Sequence, residues 1–111
     1  MAIERGGIYW ANLNPTIGVE IKGTRPVLVV SIDSFNKNSG SAIAFAITSK
    51  KPRVVYPFVF ELPEKLLPKK SWVKISQIRT LSVSRLGDKI GQIQEKDVEK
   101  VLLGLNRLTG L

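Results

Sequence analysis

The chain has 111 residues, 43% hydrophobic and 23% charged, the size and balance expected of one soluble globular domain. It contains no cysteine and no histidine, which excludes disulfides, thiol nucleophiles, histidine triads, histidine-based ribonuclease pairs and zinc sites built on either side chain. A net charge of +8 points to a polyanionic partner, most often nucleic acid.

In chain order, Ile8 to Leu13 predicts a first strand. Asn14 to Thr24 follows as a long connection holding Pro15, Gly18 and Gly23. Pro26 to Ser31 is short, apolar and β-branched, the pattern of a buried strand with proline at its start. Ile32 to Ser41, with Asn36, Asn38 and Gly40, reads as a second long loop. In Ala42 to Thr48 the side chains of Ile43, Phe45 and Ile47 alternate with alanine, a strand signature. Val54 to Leu62 carries Pro57 and suits an edge strand.

Trp72 to Leu81 predicts a long strand, with Val73, Ile75 and Gln77 on one face and Lys74, Ser76 and Ile78 on the other. Arg85 to Ile93 supplies one further short strand. The period then changes. Val98, Val101, Leu102, Leu105 and Leu108 form one apolar helical stripe, with Glu95, Asp97 and Glu99 in its first turns, Arg107 near its end and Gly110 after it. The expected class is mainly β with α (α+β), a small barrel or curled antiparallel sheet carrying a C-terminal helix.

Apolar runs last only a few residues, and the start Met-Ala-Ile-Glu-Arg lacks a signal-peptide pattern, so a cytoplasmic chain without a membrane role is expected. Positive charge is concentrated mid-chain. Between Ile21 and Phe60 the basic residues Lys22, Arg25, Lys37, Lys50, Lys51 and Arg53 meet one acid, Asp33. The stretch from Leu81 onward is nearly balanced.

Four ordered blocks carry a family resemblance. They are Arg5-Gly6 with Ile8-Tyr9-Trp10 and Leu13-Asn14-Pro15-Thr16; Gly23-Thr24-Arg25-Pro26-Val27-Leu28-Val29-Val30; Ala46-Ile47-Thr48-Ser49; and Gln77-Ile78-Arg79-Thr80, followed by Arg85-Leu86 and Ile90-Gly91. Together they resemble the MazF/PemK toxins of type II toxin–antitoxin systems along almost the whole chain. The resemblance implies a homodimer of SH3-like barrels that cleaves single-stranded RNA at short sequence motifs, without metal or cofactor. The reaction it implies is attack of the ribose 2′-hydroxyl on the adjacent phosphorus, leaving a 2′,3′-cyclic phosphate and a 5′-hydroxyl. It also implies an acidic antitoxin whose tail blocks the RNA groove, a partner that suits the +8 charge.

Arg25 stands where a glycine-containing loop meets a buried strand. Its guanidinium keeps its charge and can donate two hydrogen bonds to a phosphate, so the resemblance assigns it to catalysis. The alternative is a pre-proline surface arginine in a salt bridge. Thr48 ends a strand just before the basic turn of Lys50 and Lys51. Its catalytic assignment rests on the resemblance alone, and a strand-end turn role is its plain alternative. Glu20 is the sole carboxylate between Arg5 and Asp33; it is a candidate for catalysis or RNA contact, or for an ion pair with Lys22. Lys50, Lys51, Lys74, Ser76, Gln77 and Arg79 are the expected RNA-binding set, with Gln77 suited to a base edge and Arg79 to a phosphate or to bracing the site.

The Kid branch of the family has arginine, aspartate and histidine where this chain has Lys74, Ser76 and Val19, so the branch relying on arginine and threonine fits better. Trp10 and Trp72 are expected in the core or at a dimer contact, and Phe35 and Tyr56 are expected exposed. Two other functions suit a basic barrel. One is a gyrase-binding toxin of the CcdB type, which uses a C-terminal tryptophan that Leu108-Thr109-Gly110-Leu111 does not provide. The other is a noncatalytic nucleic-acid-binding barrel, since basic grooves serve both binding and cleavage.

Overall fold

Short apolar or alternating segments separated by turns form six strands. The computed structural model describes residues 2–111. The strands are β1 (Gly7–Asn12), β2 (Thr24–Val29), β3 (Ser41–Thr48), β4 (Val59–Glu61), β5 (Trp72–Ser82) and β6 (Leu86–Gln92). Helix α1 (Asp33–Ser39) precedes β3, a single 3-10 turn (Val83–Arg85) joins β5 to β6, and α2 (Glu95–Leu108) follows the last strand. The strands form one antiparallel sheet in the order β4-β5-β3-β2-β1-β6. Of the two expected forms, the curled sheet is the one found. Among the described residues no ladder joins β4 to β6, so the sheet keeps two edges.

Alternation buries both faces. Ile8, Leu28, Phe45, Ile47, Val73 and Ile75 face α2 and pack with its Val98 and Val101. Tyr9, Ala11, Val27, Val29 and Leu81 face the other way and pack with Leu13 and Ile3. Burying each large apolar side chain contributes on the order of 1.5–3 kcal/mol. On the second face β3 offers only Ala42, Ala44 and Ala46, which leaves room for the fully buried Tyr9 ring. The Tyr9 hydroxyl accepts the Glu4 amide at 2.9 Å, so burial leaves its oxygen satisfied.

The C-terminal helix packs its predicted stripe from Val98 to Leu105 on the core, while Leu108 is exposed, and Gly104 lets the helix sit close to the sheet. A β-carbon there would lie 2.3 Å from the Pro57 carbonyl oxygen and 2.4 Å from Ile75 Cδ1. At the other end of the helix Arg5 ties several elements together. Its guanidinium meets the Glu95 carboxylate at 2.6 Å and donates to Val30 O at 2.7 Å, while its amide donates to Asp33 Oδ1 at 2.8 Å. The hydrogen bond from Arg5 holds the Glu95 carboxyl below its ordinary pKa, and the same bond raises that of Arg5.

Two expectations are corrected here. Residues 32–41 are not a loop throughout, because they contain α1. Asp33 in its first turn, Lys37 in its last and Gly40 in the left-handed conformation are ordinary helix-end features. The helix is held by buried Asn36, whose amide donates to Ile3 O and Ser31 O. The second correction shortens the predicted Val54 to Leu62 strand to Val59–Glu61. Phe58 N bonds back to Val55 O in a turn, and Pro57 has no N–H for a ladder.

Candidate active site

The β2–β3 ladder ends with Val27 opposite Ala46. Two residues beyond that pair stand Arg25 and Thr48, and alternation along each strand puts both on the same face of the sheet. Arg25 is exposed, and its Nε donates to Lys22 O at 3.2 Å, which turns the side chain back under the loop between β1 and β2. Thr48 is half-buried, and its Oγ1 accepts the Lys50 amide at 3.1 Å. That bond uses a lone pair and leaves the hydroxyl proton free to be donated.

An irregularity in β5 decides what else reaches this face. Ile47 pairs with Val73 and Phe45 with Ile78, so two steps along β3 answer five along β5. The offset of three is odd, and the bulge therefore reverses which residues of β5 face each side. Val73 and Ile75 belong to the α2-facing core, whereas Leu81 belongs to the opposite one. Before the bulge Trp72 and Lys74 share the face of Thr48; after it, Gln77 and Arg79 do. The expected grouping of Gln77 with Val73 and Ile75 fails for this reason. Ser76 lies in the bulge and is exposed.

Gln77 and Arg79 both engage the β1–β2 loop. Gln77 Oε1 accepts the Ile21 amide at 3.0 Å, and Arg79 Nη1 donates to Leu13 O at 2.7 Å. Within that loop Glu20 closes its own turn, since its Oε1 accepts the Ile17 amide at 2.5 Å. Among the described residues no ion pair joins Glu20 to Lys22. At the tip Ile17 and Val19 are 84% and 94% exposed. Lys50 and Lys51 stand exposed in the turn after Thr48.

Two grooves flank the Arg25–Thr48 end of the sheet. One, about 340 Å³, runs from Arg25 past Trp10, Ser49, Pro68 and Lys69. The other, about 460 Å³, is lined by Lys51, Val55, Tyr56, Trp72 and Lys100. Lys70 lies over the Trp72 ring, 5.8 Å from its centroid, while also facing Glu61 at 3.6 Å. A larger hollow of about 510 Å³ lies by α1, lined by Ala2, Asp33 and Lys37 among others, and includes none of the predicted site residues. Trp10, expected in the core or at a dimer contact, is 42% exposed and so is not a core residue. Trp72 is half-buried. Phe35 and Tyr56 are exposed as expected.

Arg25, Thr48 and Lys74 are thus gathered on one basic face, with Lys50, Lys51 and Ser76 at its rim and a clamped loop alongside. The composition excludes histidine and cysteine ligands, and among the described residues no three acidic side chains cluster to hold a metal. No helix among the described residues is long and apolar enough to cross a membrane. Sequence reasoning missed one residue of the site. Arg85 was part of a matched block, yet its bonds to the carbonyls of Asn12 and Asn14 could not be read from side-chain patterns.

The fold and this face define a small basic sheet protein with an arginine–threonine pair at the open end of two central strands. Residues 4–109 match the model of the PemK-like, MazF-like toxins of type II toxin–antitoxin systems, and the chain belongs to that family. It is 37% identical over 103 residues to the endoribonuclease EndoA of Bacillus subtilis (strain 168), covering 91% of this chain and 89% of that one. MazF from Deinococcus radiodurans has a similar structure, with a TM-score of 0.87 at 28% identity, covering 100% of this chain and 99% of that one. An endoribonuclease from a mycobacterial species, in complex with its cognate antitoxin, superposes with a TM-score of 0.79 at 25% identity, covering 99% and 97% of the two chains.

Proposed function

We propose that this toxin is a metal-independent endoribonuclease that cuts single-stranded RNA at short sequence motifs. The observation that carries the reading is the Arg25–Thr48 pair, a cation and a hydroxyl carried on one face of the sheet by neighbouring strands. The similarity to EndoA, an endoribonuclease by name, supports the same activity.

In this reading a phosphodiester lies between the two side chains. Arg25 donates to its non-bridging oxygens and Thr48 Oγ1 donates to one of them, so charge building on the phosphoryl group meets fixed donors. The neighbouring 2′-hydroxyl loses its proton and attacks phosphorus, and the 5′-oxygen leaves and takes up a proton. The products are a 2′,3′-cyclic phosphate and a 5′-hydroxyl. Arginine suits the stabilising role because it cannot give up its proton near neutrality. Among the described residues Glu20 Oε2 accepts no hydrogen bond, which makes it a candidate proton acceptor or ribose contact.

Lys50, Lys51, Lys74 and Ser76 would hold flanking phosphates, and the free amide of Gln77 would meet a base edge. Arg79, already bonded to Leu13 O, would brace the loop beside the RNA while its charge draws the strand in. Exposed Tyr56 and half-buried Trp72 offer flat faces on which unpaired bases stack. The chain would act as a homodimer and be held inactive by an acidic antitoxin. The mycobacterial relative in complex with its antitoxin and the net charge of +8 support such a partner.

The test is incubation of purified wild type, Arg25→Ala and Thr48→Ala with a long single-stranded RNA in excess EDTA, followed by mapping of the new ends. Discrete cuts by wild type alone, ending in cyclic phosphate and 5′-hydroxyl, are expected. Activity that needs a divalent ion, or 5′-phosphate ends, would refute the mechanism.

A further inference from the structure

The loop between β1 and β2 is exposed at its tip but tightly bonded at its root. Three successive carbonyls at the end of β1 are all taken by guanidinium groups. Arg85 Nη1 donates to Asn12 O at 3.1 Å and to Asn14 O at 2.6 Å, and Arg79 Nη1 donates to Leu13 O at 2.7 Å. The two stems are then tied to each other, Leu13 N to Gly23 O at 2.9 Å and Gly23 N to Asn14 Oδ1 at 3.1 Å. Gly23 stands two residues before Arg25, and Arg25 Nε is itself bonded to Lys22 O at 3.2 Å.

A connected path therefore runs from Arg85 through Asn14 and Gly23 to Arg25. We infer that Arg85 is a positioning residue: it holds the Asn14 backbone so that the Asn14 side chain fixes Gly23 and, through it, the orientation of the Arg25 guanidinium. The inference rests on the nuclease reading for its effect on turnover, but the clamp itself does not. Arg85 ends a 3-10 turn between β5 and β6 that Ser82 caps, and one of its nitrogens spans carbonyls two residues apart. A neutral carbonyl pair needs no ion to balance it, so an arginine spent this way serves placement. Charge-assisted hydrogen bonds of this kind are roughly twice as strong as neutral ones. Displacing a catalytic group by about 1 Å can cost on the order of a hundredfold in rate.

The experiment compares Arg85→Lys, Arg85→Ala and Asn14→Ala, each alone and combined with Arg25→Ala. Turnover should fall about tenfold or more in each single variant while KM changes less than about threefold, because the group misplaced is one that acts in the transition state. In the Arg25→Ala background the same changes should cost little further, since there is no guanidinium left to place. Hydrogen exchange is the second readout: the amides of Leu13 and Gly23 should exchange about tenfold faster in the Arg85 variants, with α2 amides unchanged.

Four results would overturn the proposal. They are a full additional loss in the Arg25→Ala background, unchanged turnover with unchanged exchange, faster exchange throughout the chain, and a salt dependence of KM shallower by about 0.7, which marks a direct phosphate contact. A wild type that cuts no RNA would refute the nuclease reading, while the exchange measurement would still decide the clamp.

Discussion

Arg25 and Thr48 lie on the same face of the sheet, each two residues past the Val27–Ala46 pair that closes the β2–β3 ladder. Arg25 is carried on β2 and Thr48 on β3, so both side chains have strand backbones as their bases. Groups that share one phosphoryl oxygen cluster act as a unit, so their losses should not add. Arg25→Ala should lower turnover by about a hundredfold to a thousandfold, the usual effect of deleting one preorganised donor. Thr48→Val should cost about tenfold to a hundredfold, and the double variant little more than Arg25→Ala alone. Single-turnover rates on one RNA measure all three. Loss factors that multiply would mean that the two residues do not act on the same phosphate.

The lysines predict a salt signature. Lys50 and Lys51 are exposed beside Thr48, and Lys74 shares its face on β5. Each that contacts a phosphate of a single strand contributes about 0.7 to the slope of log affinity against log salt. Replacing each by Gln should flatten that slope by about this amount and leave the cleaved motif unchanged. Affinity for a non-cleavable RNA analogue, measured by fluorescence anisotropy across a salt series, tests it. An unchanged slope for any one variant would remove that lysine from the RNA track.

Gly104 predicts a stability change that runs against helix propensity. In an exposed helix, Gly→Ala stabilises by about 1 kcal/mol. Here the added methyl would meet the Pro57 carbonyl oxygen at 2.3 Å and Ile75 Cδ1 at 2.4 Å. The backbone oxygen cannot rotate away, so α2 must shift outward. Gly104→Ala should therefore destabilise by about 1–3 kcal/mol and lower Tm by roughly 5–15 °C. A thermal melt that moved upward instead would mean that the helix stands farther from the sheet.

Most of the sheet and the last helix were legible in the chain because their signals are periodic. Ile43, Phe45 and Ile47 alternate, and Val98, Val101 and Leu105 recur at helical spacing. Helix α1 was missed because seven residues with Phe35 as their only large apolar side chain give no stripe, although Asp33 and Gly40 mark its ends. The faces of β5 were misread beyond Ile75 because a bulge is a property of pairing, and alternation within one strand carries no trace of it. Arg25 and Thr48 were singled out through family blocks. Their mutual placement depends on register, and the Arg85 clamp on backbone carbonyls that every residue carries, so neither could be read from residue types.

Glu95 gives a prediction in pH. Its carboxyl is held below the ordinary value chiefly by the hydrogen bond from Arg5, whose guanidinium also bonds Val30 O. A carboxyl whose pKa is lower folded than unfolded stabilises the fold above its unfolded pKa, about 4.3 for Glu, where both states are ionised but only the folded one has the partner. As pH falls through the folded pKa the folded state takes up the proton as well, and the contribution is lost. The melting temperature of the wild type should therefore drop as pH is lowered from about 6 to 3, and part of that drop should be missing in Glu95→Gln. Because Glu95 is exposed, the missing part should shrink in high salt. Parallel acid limbs for the two proteins at low salt would mean that the Arg5–Glu95 contact contributes nothing to stability, and that Arg5 holds α1 and β2 through its bonds to Val30 and Asp33 alone.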